Sequence, residues 1–153
     1  MRELGCFSYG SELNEIRLAK NFYLSEFENK EQLVKLHPRL VQGLQRLRDM
    51  IRQPIVITSG YRSQEEQMEI NPSAPNSYHI RGMAADIYVK DYPMLELWKW
   101  AVTIPEFHGV GLYDRHVHVD VRPEGKSWYW IRQQHLRGEA NDWKKLLKLL
   151  EKE

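Results

Sequence analysis

Three side chains of this sequence could together grip one divalent cation: His79, Asp86, and His118 in the run His116-Val117-His118-Val119-Asp120. Two imidazoles and a carboxylate suit a borderline-soft ion such as zinc, and three protein ligands leave the fourth tetrahedral position for water or substrate. Sites left open in this way are catalytic more often than structural, so the trio marks a candidate zinc hydrolase. Side chains alternate faces along a strand, which puts His116, His118 and Asp120 on one face and Val117, Val119 and Val121 on the other. The same alternation over 84–89 places Ala84, Asp86 and Tyr88 together, backed by Ala85, Ile87 and Val89. Small residues beside Asp86 leave room for an ion.

Elements elsewhere must hold these strands in place. A helix is expected over 38–52, opened by Pro38 and carrying Leu40, Val41, Leu44, Leu47 and Ile51 at helical spacing. Pro54 ends it, and the β-branched run 55–58 reads as a strand stopping at Ser59-Gly60. A second helix over 93–103 would bury Leu95, Trp98 and Val102. The segment 109–113, the turn Asp114-Arg115 and the segment 116–121 read as an antiparallel hairpin. Trp128, Tyr129 and Trp130 fit an edge strand or a cover over the core, and a docking helix is expected over 139–151 with Trp143, Leu146, Leu147 and Leu150 on one stripe. Residues 1–24 read as an irregular lead-in with a short helix at 11–20, and Ser25 as a helix N-cap. This order lacks the regular alternation of a doubly wound parallel sheet, so the expected fold class is α+β, with helices packed on a small antiparallel sheet.

A chain of 153 residues forms one domain (1–153) by the usual prior and buries roughly two thirds of its unfolded surface. With 42% hydrophobic and 28% charged residues and a net charge of +1, nothing favours a general attraction to nucleic acid or to a membrane surface. The single cysteine, Cys6, reads as an incidental or buried thiol. No apolar run has signal-peptide length, so the expected location is the cytoplasm, with a phage-type lysis route as the way to reach a cell wall.

Four blocks then occur in order: Ser59-Gly60-Tyr61-Arg62-Ser63, Ser77-x-His79-x-x-Gly82-x-Ala84-x-Asp86-Ile87, Gly109-x-Gly111-x-Tyr113, and His116-x-His118-x-Asp120. Together they resemble the signature of the zinc D-alanyl-D-alanine carboxypeptidase family, which shares its fold with D-Ala-D-Ala dipeptidases, some phage endolysins and the hedgehog signalling domain. The resemblance covers about 22–122. It implies a hedgehog or D-Ala-D-Ala peptidase-like fold, Zn2+ held by His79, Asp86 and His118, and a peptidoglycan stem peptide as substrate. It further implies that Arg62 binds a substrate oxygen and steadies the oxyanion, that Ser77 and Tyr113 assist at the substrate or the ligand loop, and that Asp120 orients a ligand histidine. His116 is the candidate general base, with a fourth-ligand role as the alternative and Asp114 as a weaker rival for the base.

Two departures stand out. Arg115 occupies the position where many relatives carry a glutamate, with no glutamate between Phe107 and Pro123, and 64–76 lacks the asparagine that often follows the arginine block. His37, His108 and His135 have no motif support. The expected activity is hydrolysis of a stem-peptide bond next to a D-amino acid, of carboxypeptidase or endopeptidase type. The alternative is a non-catalytic zinc-binding structural or cell-wall-binding module.

Overall fold

The computed structural model describes residues 16–152 together with the backbone of 4–8; the thiol of Cys6 and residues 11–15 of the expected first helix lie outside the described residues. Strand β1 (Leu4–Ser8) pairs antiparallel with β4 (Leu33–Leu36), and the short β2 (Arg17–Ala19) and β3 (Phe22–Tyr23) pair with each other. Residues 17–19 are therefore extended, where the sequence reading placed the end of a helix. Ser25 lies inside a 3-10 turn, Leu24–Phe27, whose cap is Tyr23: the Tyr23 N–H donates to Glu26 Oε2 at 2.7 Å.

Helix α1 (Pro38–Ile51) starts where a proline costs no hydrogen bond, and the His37 side chain caps it by accepting from the Arg39 N–H. Leu40, Leu44 and Leu47 are fully buried, each contributing about 1.5–3 kcal/mol by removal of its side chain from water. Then follow β5 (Val56–Ser59), α2 (Gln64–Ile70), β6 (Ala84–Tyr88), α3 (Met94–Ala101), β7 (Gly109–Tyr113), β8 (Val117–Asp120), β9 (Trp128–Arg132), β10 (Arg137–Ala140) and α4 (Trp143–Glu151). No helix among the described residues is long and apolar enough to cross a membrane.

Six strands form one sheet in the order β10-β9-β7-β8-β6-β5. The α+β class is as expected. The sheet departs from the antiparallel expectation at one place, because β7 and β9 run parallel. After the β7–β8 hairpin the chain returns over β7 through the 3-10 turn Glu124–Lys126, a connection that gives the sequence no period to read. The helix expected over 139–151 is also shorter: Glu139 and Ala140 complete β10, and Asp142 caps α4 by accepting from the Lys144 N–H.

One sheet face is the core. Ala85, Ile87, Val110, Leu112, Val117, Val119 and Ile131 are buried there in one cluster with Trp98 of α3 and the leucines of α1. Strand alternation sends the intervening residues to the opposite face, where Asp86 of β6, His118 of β8, Gly111 of β7 and Trp130 of β9 fall in one register row. A second row holds Ala84, Asp120, Gly109 and Trp128.

The turn leading into β6 depends on Gly82, whose φ of 68° lies in the left-handed region and whose Cα sits against the Lys35 and Leu36 backbone. Its carbonyl accepts from the His37 N–H at 2.8 Å, tying the turn to the start of α1. Gly82→Ala is expected to cost at least about 1–2 kcal/mol from the backbone conformation alone, with the added contact on Lys35 increasing that loss. A midpoint shift in urea unfolding measures it.

Candidate metal centre

His79 comes from the 3-10 turn Tyr78–Arg81, capped by Ser77, whose Oγ accepts from the His79 N–H at 3.2 Å. The His79 Nδ1 is 2.7 Å from the Gly60 carbonyl, so Nδ1 carries the proton and donates, leaving the Nε2 lone pair to face the sheet. That Nε2 lies 3.3 Å from Asp86 Oδ1. On the other side His118 Nδ1 lies 3.1 Å from the same Oδ1, while its Nε2–H donates to Asp120 Oδ2 at 2.8 Å. Donors about 2.1 Å from a tetrahedral ion stand roughly 3.4 Å apart. The two spacings to Asp86 Oδ1, 3.3 Å from His79 Nε2 and 3.1 Å from His118 Nδ1, match that figure, and the three residues offer ligand atoms within 4.8 Å of one another.

The donor chemistry points the same way. An imidazole lone pair and a carboxylate oxygen facing each other at 3.1 Å repel unless a positive centre lies between them. Burial opposes charge on His118, yet hydrogen bonds to Asp120 and Asp86 outweigh it and push its pKa up to about 9. A proton and a metal ion compete for that same Nδ1 lone pair. Burial also pushes the Asp86 carboxyl towards its neutral form, but its hydrogen bond from His118, with the imidazoles beside it, wins and holds it well below the usual carboxylate range. For His79 burial prevails over the pull of Asp86, so its pKa falls and the ring is neutral, the state a ligand needs.

A further layer of groups fixes these atoms. Asp120, fully buried, receives three hydrogen bonds from Arg122, from Nε to Oδ1 at 2.8 Å, Nη2 to Oδ2 at 2.7 Å and the backbone N–H to Oδ1 at 3.2 Å, besides the one from His118. Those bonds hold it ionised below the ordinary carboxylate range despite its burial. The hydrogen bond between His118 Nε2 and Asp120 Oδ2 is the contact through which Asp120 could orient that ring. The Arg122 guanidinium also lies over the rings of Tyr78, at 4.8 Å, and Trp130, at 5.5 Å.

Arg62 sits deeper than expected of a residue reaching over the site. Its Nε donates to Ser59 Oγ, Nη1 to Gln67 Oε1 and Nη2 to Asp86 Oδ2, the last at 2.9 Å. It grips the back of the Asp86 carboxylate, which leaves Oδ1 for the shared position, and keeps two of its five N–H groups uncommitted. The first part of 64–76 forms α2, capped by Ser63 and Glu66, which brings Gln67 to Arg62. That helix was legible in the Ser63-x-x-Glu66 capping box.

His116 lies just before β8, in the hairpin turn. Its Nε2 is 3.8 Å from Asp86 Oδ1, outside the closer set of three, and its ring stacks on Tyr113 with centroids 4.4 Å apart. Burial lowers its pKa against the attraction of Asp86, so the ring is neutral and able to accept a proton at neutral pH. The Trp130 Nε1–H donates to the Tyr113 hydroxyl at 2.9 Å, so Trp130 holds Tyr113, and Tyr113 supports His116. Neither Trp130 nor Arg122 was singled out from the sequence for a place in the site. Strand alternation from Asp120 to Arg122 and from Trp128 to Trp130 was the available signal. Gly111 makes room for the Trp130 indole, since a Cβ there would fall on its ring.

The remaining histidines are not among the residues that line the cleft. His37 caps α1, His108 Nδ1 bonds the Arg122 carbonyl at 2.7 Å, and His135 is exposed. Asp114 is exposed, accepts from the Gln134 N–H, and is not among the residues that line the cleft. His79, Asp86, His118, His116, Arg62, Ser77 and Tyr113 all line one cleft of about 360 Å³. A larger hollow of about 530 Å³ between β2 and α1 lies among Leu18, Val41 and Arg46 and contains none of these residues.

The family model for Peptidase M15 matches residues 13–120. A Haemophilus influenzae protein named "Probable peptidoglycan L,D-endopeptidase MepK" is 28% identical over 133 residues, an alignment that covers 81% of this chain and 70% of that protein.

Proposed function

We propose, from the premise that this chain belongs to the peptidase M15 family, that it is a zinc-dependent endopeptidase of peptidoglycan stem peptides, cutting a bond next to a D-amino acid. The observation that carries the proposal is the convergence of His79, Asp86 and His118, whose ligand atoms all lie within 4.8 Å of one another beside a cleft. The name of the Haemophilus relative supports an endopeptidase over a carboxypeptidase, and an L,D bond as the one cut.

Zinc held by His79, Asp86 and His118 would supply an acidified water and a polarised carbonyl. His116, neutral and beside the ligand trio, takes the proton from the attacking water and passes it to the leaving amine. Arg62 steadies the developing oxyanion with the two N–H groups not spent on Ser59, Gln67 and Asp86. Asp120 and Arg122 keep His118 from rotating, and Trp130 with Tyr113 keeps the His116 ring in place. Arg115, in place of the glutamate of many relatives, points to the imidazole as the proton carrier.

Purified protein incubated with a defined muropeptide should release a new amine and a new carboxylate, and a chelator should abolish the release until zinc is returned. Mass-spectrometric products identify the bond. Stoichiometric zinc binding with no product from any muropeptide would favour the non-catalytic module, and chelator-resistant cleavage would remove the metal from the mechanism.

A further inference from the structure

Strand β9 forms part of the cleft wall. Tyr129 and Ile131 point into the core, so alternation turns Trp128, Trp130 and Arg132 to the site face, and all three line the cleft. Three arginines border this space, and two are committed: Arg62 to Asp86 and Arg122 to Asp120. Arg132 is exposed, and among the described residues it has no carboxylate partner. It stands opposite Tyr113 in the β7–β9 register, and Tyr113 stacks on His116, so the uncommitted guanidinium belongs to the wall beside the reacting groups. Trp128, 38% exposed on the same strand face, adds an apolar shelf on that wall.

We propose that Arg132 is a specificity-determining residue that binds a free carboxylate carried by the substrate next to the scissile bond. The inference rests on the peptidase reading and adds a requirement to it: the preferred peptide is acidic at that position. A guanidinium presents paired N–H donors in a fixed fork that matches a carboxylate, and a fork with no internal partner keeps that capacity for a ligand. The charges around the site agree. The three arginines Arg62, Arg122 and Arg132 outnumber the two carboxylates Asp86 and Asp120, so the cleft favours an anionic peptide over an amidated one.

The test uses two synthetic stem peptides, identical except that the carboxylate beside the scissile bond is free in one and a carboxamide in the other. The wild-type chain should cleave the acid peptide at least about tenfold more efficiently, as a charge-assisted pair requires, with the difference mainly in KM. Arg132→Gln should lower kcat/KM for the acid peptide to the level of the amide and leave the amide unchanged. Arg132→Lys should retain part of the preference, and Arg137→Gln, which alters an exposed arginine on β10, should retain all of it. Equal losses on both peptides, or an undiminished preference in Arg132→Gln, would overturn the proposal. If the wild-type chain cleaves neither peptide, the hydrolase reading fails by itself, and calorimetric titration decides on Arg132: the acid peptide must bind wild type about tenfold more tightly than it binds Arg132→Gln. Equal binding overturns the assignment.

Discussion

Asp86→Asn is expected to strip the chain of its metal and to leave peptide hydrolysis below detection. Asp86 is the anion on which the centre converges: Oδ1 lies 3.1 Å from His118 Nδ1 and 3.3 Å from His79 Nε2, while Oδ2 accepts from Arg62 at 2.9 Å. An amide keeps the shape and an acceptor oxygen but removes the charge that draws a dication between two neutral rings. Loss of a partner outside the ligand set typically costs about 10–100-fold in metal affinity, so a change to a ligand itself should exceed that range. Elemental analysis after dialysis against a weak chelator reads the metal, and urea unfolding checks that the domain survives. The change lies in a site face and leaves the opposite core face of the sheet intact. A variant that keeps one zinc per chain and normal turnover would exclude Asp86 from the ligand set.

His116→Ala separates chemistry from binding. Its Nε2 is farther from Asp86 Oδ1, at 3.8 Å, than either candidate ligand nitrogen, and its ring is held by Tyr113 rather than by a carboxylate or carbonyl that would fix it for ligation. General acid–base catalysis contributes about 10²–10⁴-fold, so turnover should fall by that factor while zinc content stays at the wild-type level. Retained turnover would place the base elsewhere. A parallel loss of metal would make His116 a fourth ligand.

Much of the site could be read from the sequence because it depends on strand alternation. Within 116–121 alternation puts His118 and Asp120 on one face and the valines on the core face, and within 84–89 it sets Asp86 opposite Ala85 and Ile87. What alternation cannot give is register between distant segments. The Gly60 carbonyl that fixes the His79 tautomer comes from the end of β5, and the grip of Arg62 on Asp86 requires a turn after that strand to fold back over β6. Nor did anything local show that β9 would lie parallel to β7 and set Trp130 against Gly111, because the intervening turn leaves strand direction open. The short helix α2 lacks an apolar stripe and is specified by its cap, so hydrophobic periodicity gives no sign of it.

The claim on which the account depends is that one cation sits where His79 Nε2, Asp86 Oδ1 and His118 Nδ1 meet. Anomalous diffraction from crystals of the zinc-loaded protein, collected on both sides of the zinc absorption edge, locates that ion directly. The account predicts a single strong peak about 2.0–2.2 Å from all three atoms. A difference map with no peak among them, or with the zinc held by other side chains, would contradict it.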